Sequence, residues 1–277
     1  MKKAPQTFGA KLASRVCFSL VAAAVTAFQA SASDDLAMSS KPIDTAPVSH
    51  LAPAPALPAP SPAEPKRADF KDSTPSDEAR QLADWILDSN NNRRLPFLIV
   101  DKKQAMVFAF HADGLLRGTA PVLLGMAVGD DSVPGIGQRK LSTIRPDERT
   151  TPAGRFVAAL DRNLHGVEIL WVDYDAAISL HRVITTTPKE RRAQRLASPT
   201  PLDNRISYGC INVPVKFFDQ VVGPAFKGTN GIVYVLPETR SARQVFGSYD
   251  VDQHRRQQAA AHPAPGVSSD IRTRPHH

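Results

Sequence analysis

Cysteine is nearly absent from this chain: 277 residues hold two, Cys17 and Cys210. A framework of internal disulfides is therefore excluded, as is a redox pair in which a second thiol resolves an oxidised first one. Long apolar runs are lacking too. The one candidate, 16–28, is short and broken by Ser19 and Thr26, which argues against a membrane span. Preceded by Lys2, Lys3, Lys11 and Arg15 and followed by Ala30-Ser31-Ala32, it reads instead as a secretory signal cleaved near Ala32. No lipobox with a cysteine at the cleavage point is present, so no lipid anchor is expected. A strong charge of either sign is also missing. The formal +7 falls to +3 once the signal's cations leave, which gives no case for a nucleic-acid partner. Cys17 departs with the signal, so the mature chain, expected in the periplasm or cell envelope, keeps one thiol.

What is present divides by composition. Prolines at 42, 47, 53, 55, 58, 60, 62 and 65, interleaved with alanine, predict an extended tether, and a Pro/Ala-rich disordered linker is expected over 33–73. Thr74-Pro75-Ser76-Asp77 is a helix start, with acidic residues in the first turn and Ala79, Leu82, Ala83 and Ile86 on one face. That helix and its connection occupy 74–94. From Leu95 the period changes to short apolar or alternating runs separated by turn residues, at 98–100, 105–110, 121–126, 155–160, 168–173, 176–180 and 231–236. A second helix is expected over 214–226, with Val215, Phe218, Val221 and Val222 buried. No internal repeat is visible. The pattern predicts one mainly β domain with added α structure (α+β) over 95–240, a helix packed on its sheet, and a mostly disordered tail over 241–277, polar from Gln253 onward.

A lone cysteine is most often a small buried hydrophobe. Here Gly209 precedes it, an apolar residue follows, the chain is exported, and His181 lies upstream, which together favour a nucleophile. A free thiol is mostly protonated at neutral pH, so a nearby imidazole is needed to make the attacking thiolate. His181, at a strand end, is the candidate base.

Two further details make the pattern specific. His181 followed by Ser207-Tyr208-Gly209-Cys210-Ile211-Asn212, with Thr151-Pro152-Ala153-Gly154 upstream, resembles the L,D-transpeptidase catalytic domain (YkuD-like) over about 95–237. The resemblance implies a β-sandwich or barrel and a cysteine acyltransferase acting on peptidoglycan stem peptides. It implies no metal or organic cofactor, and acyl acceptors that are a second stem peptide or an envelope protein. It assigns Cys210 as nucleophile and His181 as base. The carbonyl of Arg182 would orient the imidazole, leaving the Arg182 side chain free for other work. Gly209 would let the amides of Gly209 and Cys210 face an oxyanion, and Ser207 and Asn212 would brace the loop, with Tyr208 in support. The family often has histidine at the position of Tyr208, a small residue at Arg182, and a shorter stretch between the histidine and the cysteine.

That stretch carries Arg182, Lys189, Arg191, Arg192, Arg195 and Arg205 against Glu190 and Asp203. A guanidinium fork matches a carboxylate, so Arg191, Arg192 and Arg205 are candidate grips on the free carboxylates of a stem peptide. Trp171 and Tyr174 are candidates to line the same groove, although strand residues of this size are more often core. Thr151 to Gly154 reads as a turn setting strand register. Two other outcomes stay open: hydrolysis of the same thioester, as an L,D-carboxypeptidase or endopeptidase, and a noncatalytic peptidoglycan-binding envelope protein.

Overall fold

The computed structural model describes residues 66–261. The expected signal peptide, most of the Pro/Ala-rich linker and residues 262–277 lie outside the described residues.

The helix α1, Asp77–Asp88, forms where its apolar spacing predicts. Its cap is Ser76, whose Oγ accepts the Ala79 amide at 3.1 Å, rather than Thr74. Strands follow as β1 Phe97–Asp101, β2 Met106–Phe110, β3 Leu116–Pro121 and β4 Leu124–Gly125. Then come β5 Gly154–Arg162, β6 Glu168–Asp173 and β7 Ile178–Arg182. A crossover containing the short helix α2, Arg192–Leu196, leads to β8 Arg205–Ser207 and β9 Ile211–Val213. The chain continues through α3 Val215–Phe217, a π-turn Phe218–Val222, α4 Gly223–Phe226 and β10 Gly231–Val235, to α5 Ala242–Phe246 and α6 Val251–Ala261.

Eight strands make one sheet in the order β3-β2-β1-β10-β5-β6-β7-β9, and β4 pairs with β8. Only β1–β10 and β7–β9 are parallel within the eight. The sheet is nearly closed: Leu123, just past the β3 edge, exchanges both backbone hydrogen bonds with Asn212 of β9 at the other edge. The fold is thus mainly β with helices, as the alternating runs require.

Strand β1 is buried on both faces, and its residues feed two cores in turn. Leu98 and Val100 join a cluster with Leu180, Ile211, Val213, Phe218 and Phe226. Phe97 and Ile99 join another with Leu82, Ile86, Phe110 and Tyr234, covered by α1. Two layers of helix therefore pack on the sheet, not one.

Three expectations need correction. The linker was expected to reach residue 73, but Phe70 is buried edge-on against Phe108 and Phe110, and Ala68 N–H and Arg67 both bond Asp84. One aromatic anchor, invisible to composition, begins the fold earlier. The tail was expected to be mostly disordered, yet α5 packs on the sheet through Phe246 against Tyr234, and α6 folds back on α1. Tyr249 and Arg255 both donate to Asp88, and Val251 is buried. In the 214–226 helix, Phe218 and Val222 are fully buried as expected and Val221 packs partly against the core, but Val215 is 46% exposed and Phe217 and Phe226 are buried too.

Candidate active site

The separation of His181 from Cys210 in sequence has a topological cause. Parallel neighbours such as β7 and β9 need a crossover connection of a dozen residues or more, and the 183–204 segment is that connection. In the register, Leu180 faces Ile211, His181 faces Asn212 and Arg182 faces Val213. Side chains alternate across a strand. Leu180, Ile211 and Val213 therefore enter the core, while His181 and Asn212 point to the other face. Ser179, two residues before His181, and Cys210, two before Asn212, share that face.

Contacts within the cluster follow this layout. His181 Nδ1 donates to its neighbour's carbonyl, Arg182 O, at 2.8 Å, which leaves Nε2 to face the loop. Ser179 Oγ lies 3.7 Å from Cys210 Sγ, and the half-buried sulfur is also 3.7 Å from Ala177 O. Burial alone would push the Cys210 thiol up. The hydrogen bond and charge of His181, aided by the Ser179 amide and hydroxyl, outweigh it and bring the thiol below its ordinary 9.0. For His181, burial pulls the imidazole down, but Cys210 and the Arg182 carbonyl more than compensate and raise it above 6.5. Both shifts favour the transfer of one proton from sulfur to ring, toward a thiolate beside an imidazolium.

The loop before the cysteine is held tightly. Ser207 Oγ donates to Cys210 O at 2.6 Å and accepts the Gly209 amide at 3.0 Å. Gly209 has φ +127°, and an added Cβ would stand 2.7 Å from Ile178 Cδ1 and 2.8 Å from Thr150 O, so only glycine fits. Fully buried Thr151 donates to Gly209 O and accepts from Gly125 N, both at 2.8 Å. Tyr208 places its ring 3.8 Å below the Arg149 guanidinium. Asn212 Nδ2 reaches Cys210 O at 3.2 Å and His181 Nε2 at 3.5 Å.

Several expectations change here. The Gly209 amide is spent on Ser207, so it does not face outward; among the described residues the loop amides without an acceptor are those of Tyr208 and Cys210. The Arg182 side chain is not free, since it is held by Asp219 at 2.6 Å and Glu168 O at 3.0 Å and lies over Phe218. Arg205 is no grip. It pairs with Glu238 and donates to Lys102 O inside a buried cluster of charges. Arg192 is 13% exposed and bound to Glu190 and Asn212. Arg191 alone of the three is open, beside a recess with Gln194, Arg195, Ser198 and Asp203. Trp171 pairs across β6–β7 with Ser179 and lines a groove of about 440 Å³ with Ser179, His181, Leu164, Val167 and Ile184. Tyr174 stacks on Trp171 at 5.1 Å and is itself 56% exposed.

Residues that sequence reasoning missed are Ser179, Thr151 as a brace, and Arg149. The strand period pointed to Ser179, since it is two residues from His181. Thr151 was visible only as part of a turn.

No protein-family model matches the chain, and no curated protein matches it in sequence. Solved structures do resemble it. The helical cell shape determining protein Pgp2 from Campylobacter jejuni matches at a TM-score of 0.33 and 14% identity over 53% of this chain. The match spans 49% of that protein, about half its length. The catalytic domain of the E. faecium L,D-transpeptidase matches at 0.31 and 16% identity, over 51% of this chain and 96% of that one. A Xylanimonas cellulosilytica L,D-transpeptidase matches at 0.33 and 12%, over 51% and 60%. At these values no residue role or reaction transfers from one chain to the other.

Proposed function

We propose that this chain is an exported cysteine acyltransferase of L,D-transpeptidase type, acting on peptidoglycan stem peptides in the periplasm or cell envelope. The observation that carries the reading is the Cys210 thiol, the only free one among the described residues, drawn below its ordinary value by His181, whose ring is oriented by Arg182 O. The substrate class is the one implied by the resemblance of His181 and Ser207–Asn212 to the L,D-transpeptidase motif. Among the described residues no helix is long and apolar enough to cross a membrane.

In the proposed reaction the Cys210 thiolate attacks the carbonyl carbon of the L,D peptide bond. The oxyanion takes the Cys210 amide as donor. As the bond to nitrogen breaks, the His181 imidazolium gives its proton to the departing amine of the terminal D-residue, leaving a thioester. An acceptor amine then attacks the thioester, His181 removes its proton, and the Cys210 thiolate leaves beside the imidazolium, restoring the starting pair. Water in place of the amine would give hydrolysis.

Intact mass after incubation with a stem tetrapeptide or a carbapenem tests this. A covalent adduct on the wild-type chain, absent from Cys210→Ala, supports the enzyme, and the released products separate transfer from hydrolysis. No adduct with either compound, together with retained binding to peptidoglycan, would replace the reading with that of a noncatalytic binder.

A further inference from the structure

Arg192 sits on the crossover, far from either site strand in sequence, yet its guanidinium donates to Asn212 Oδ1 at 2.6 Å and to Glu190 Oε2 at 2.6 Å. Asn212 is wholly buried and is the register partner of His181. We propose that Arg192 is a positioning residue that fixes the Asn212 amide and so biases the His181–Cys210 pair toward neutral imidazole and thiol at rest. This rests on the acyltransferase reading in taking Cys210 as the nucleophile.

A guanidinium has only donors, so the Asn212 atom facing it is the amide oxygen. The amide nitrogen must then face the opposite way, toward Cys210 O and His181 Nε2. With Nδ1 committed to Arg182 O, Nε2 is the nitrogen that exchanges the proton with sulfur. An NH₂ group aimed at Nε2 is compatible with a lone pair there and opposed to a proton there. The Arg192 charge acts in the same sense, pulling His181 down against the larger upward pull of Cys210. The other charged or titratable groups around His181 are accounted for. Arg182 on its own strand is held by Asp219, with Glu168 of β6 close by. Glu190 partly offsets Arg192, and His165, from the β5–β6 turn, lines the groove.

The crossover thus supplies part of the site's electrostatics rather than a free grip for substrate. The test is the rate of Cys210 alkylation by iodoacetamide, read by intact mass from about pH 5 to about pH 9, which needs no peptidoglycan and is insensitive to acceptor choice. Arg192→Met should favour the ion pair over the neutral pair and so raise the alkylation rate on the plateau between the two titrations about threefold, equivalent to about half a pH unit, while the acid limb stays in place or moves slightly up because a cation near the thiolate is lost. Glu190→Gln, at a more exposed position, removes the offsetting anion and should move the plateau the other way; it serves if Arg192→Met does not fold. Profiles of both folded variants that overlay the wild type overturn the inference alone. A wild-type thiol that titrates at its ordinary value overturns this inference and the acyltransferase reading together.

Discussion

Thr151 Oγ1 gives its proton to Gly209 O and receives that of Gly125 N, each at 2.8 Å, and so ties the loop carrying the sulfur to the start of β5 and to β4. Thr151→Val keeps the shape and removes both bonds. Two buried backbone groups lose their partners, which should cost about 2–3 kcal/mol in urea unfolding with little change in m. The freed loop should slow carbapenem acylation by roughly tenfold or more.

Gly209→Ala tests the backbone itself. The side chain would meet Ile178 and the Thr150 carbonyl at a φ that other residues rarely adopt. A loss of about 2 kcal/mol or more is expected, with slower Cys210 alkylation even where the protein still folds. Wild-type stability and reactivity would show that the loop takes another path.

The pH dependence of Cys210 follows from two signs. The thiol is lowered and the imidazole raised, so the ion pair is favoured between the two titrations. Alkylation of the wild type should rise at a pH well below the ordinary thiol value of 9.0. In His181→Ala that rise should move up toward 9.0, because burial is then opposed only by the hydrogen bonds from Ser179.

Below the site, Lys102 is fully buried, with Nζ at 2.9 Å from Asp130 Oδ1, 3.4 Å from Glu238 and 3.0 Å from Thr151 O. Burial would raise the Asp130 carboxyl, but bonds from Thr239, Lys102 and the Glu238 and Thr239 amides hold it well below the usual carboxylate range. A carboxyl lowered in the folded state stabilises above its unfolded value, near 3.8, and that stability is lost as pH falls further toward the folded value. Asp130→Asn should cost about 3 kcal/mol at neutral pH by leaving Lys102 short of one anion, and should flatten the acid side of a stability-against-pH curve. An unchanged acid limb would assign it to other carboxylates.

Much of the fold was legible because period-two runs and turn residues mark strands locally. The face of α1 was legible from its helical spacing: Ala79, Leu82, Ala83 and Ile86 are all buried. The cysteine loop was readable as a motif, and its closeness to His181 as a requirement of the chemistry. What was not readable depends on partners distant in sequence. The cations of 182–205 looked alike in the chain, yet Arg205 meets Glu238, Arg182 meets Asp219, Arg192 meets Asn212, and Arg191 stays open. Only the crossover's path decides which. Likewise Phe70 and Tyr249 fold the two ends of the described segment through contacts with Phe108 and Trp85 that composition does not encode.

The distance between imidazole and sulfur is set by the hydrogen-bonded ladder of β7 and β9, not by the segment that joins them. Linker length and site geometry are therefore separable variables. A few flexible residues spliced in at the exposed Pro199–Thr200 stretch should lengthen the route without altering its destination, at an entropic cost of well under 1 kcal/mol.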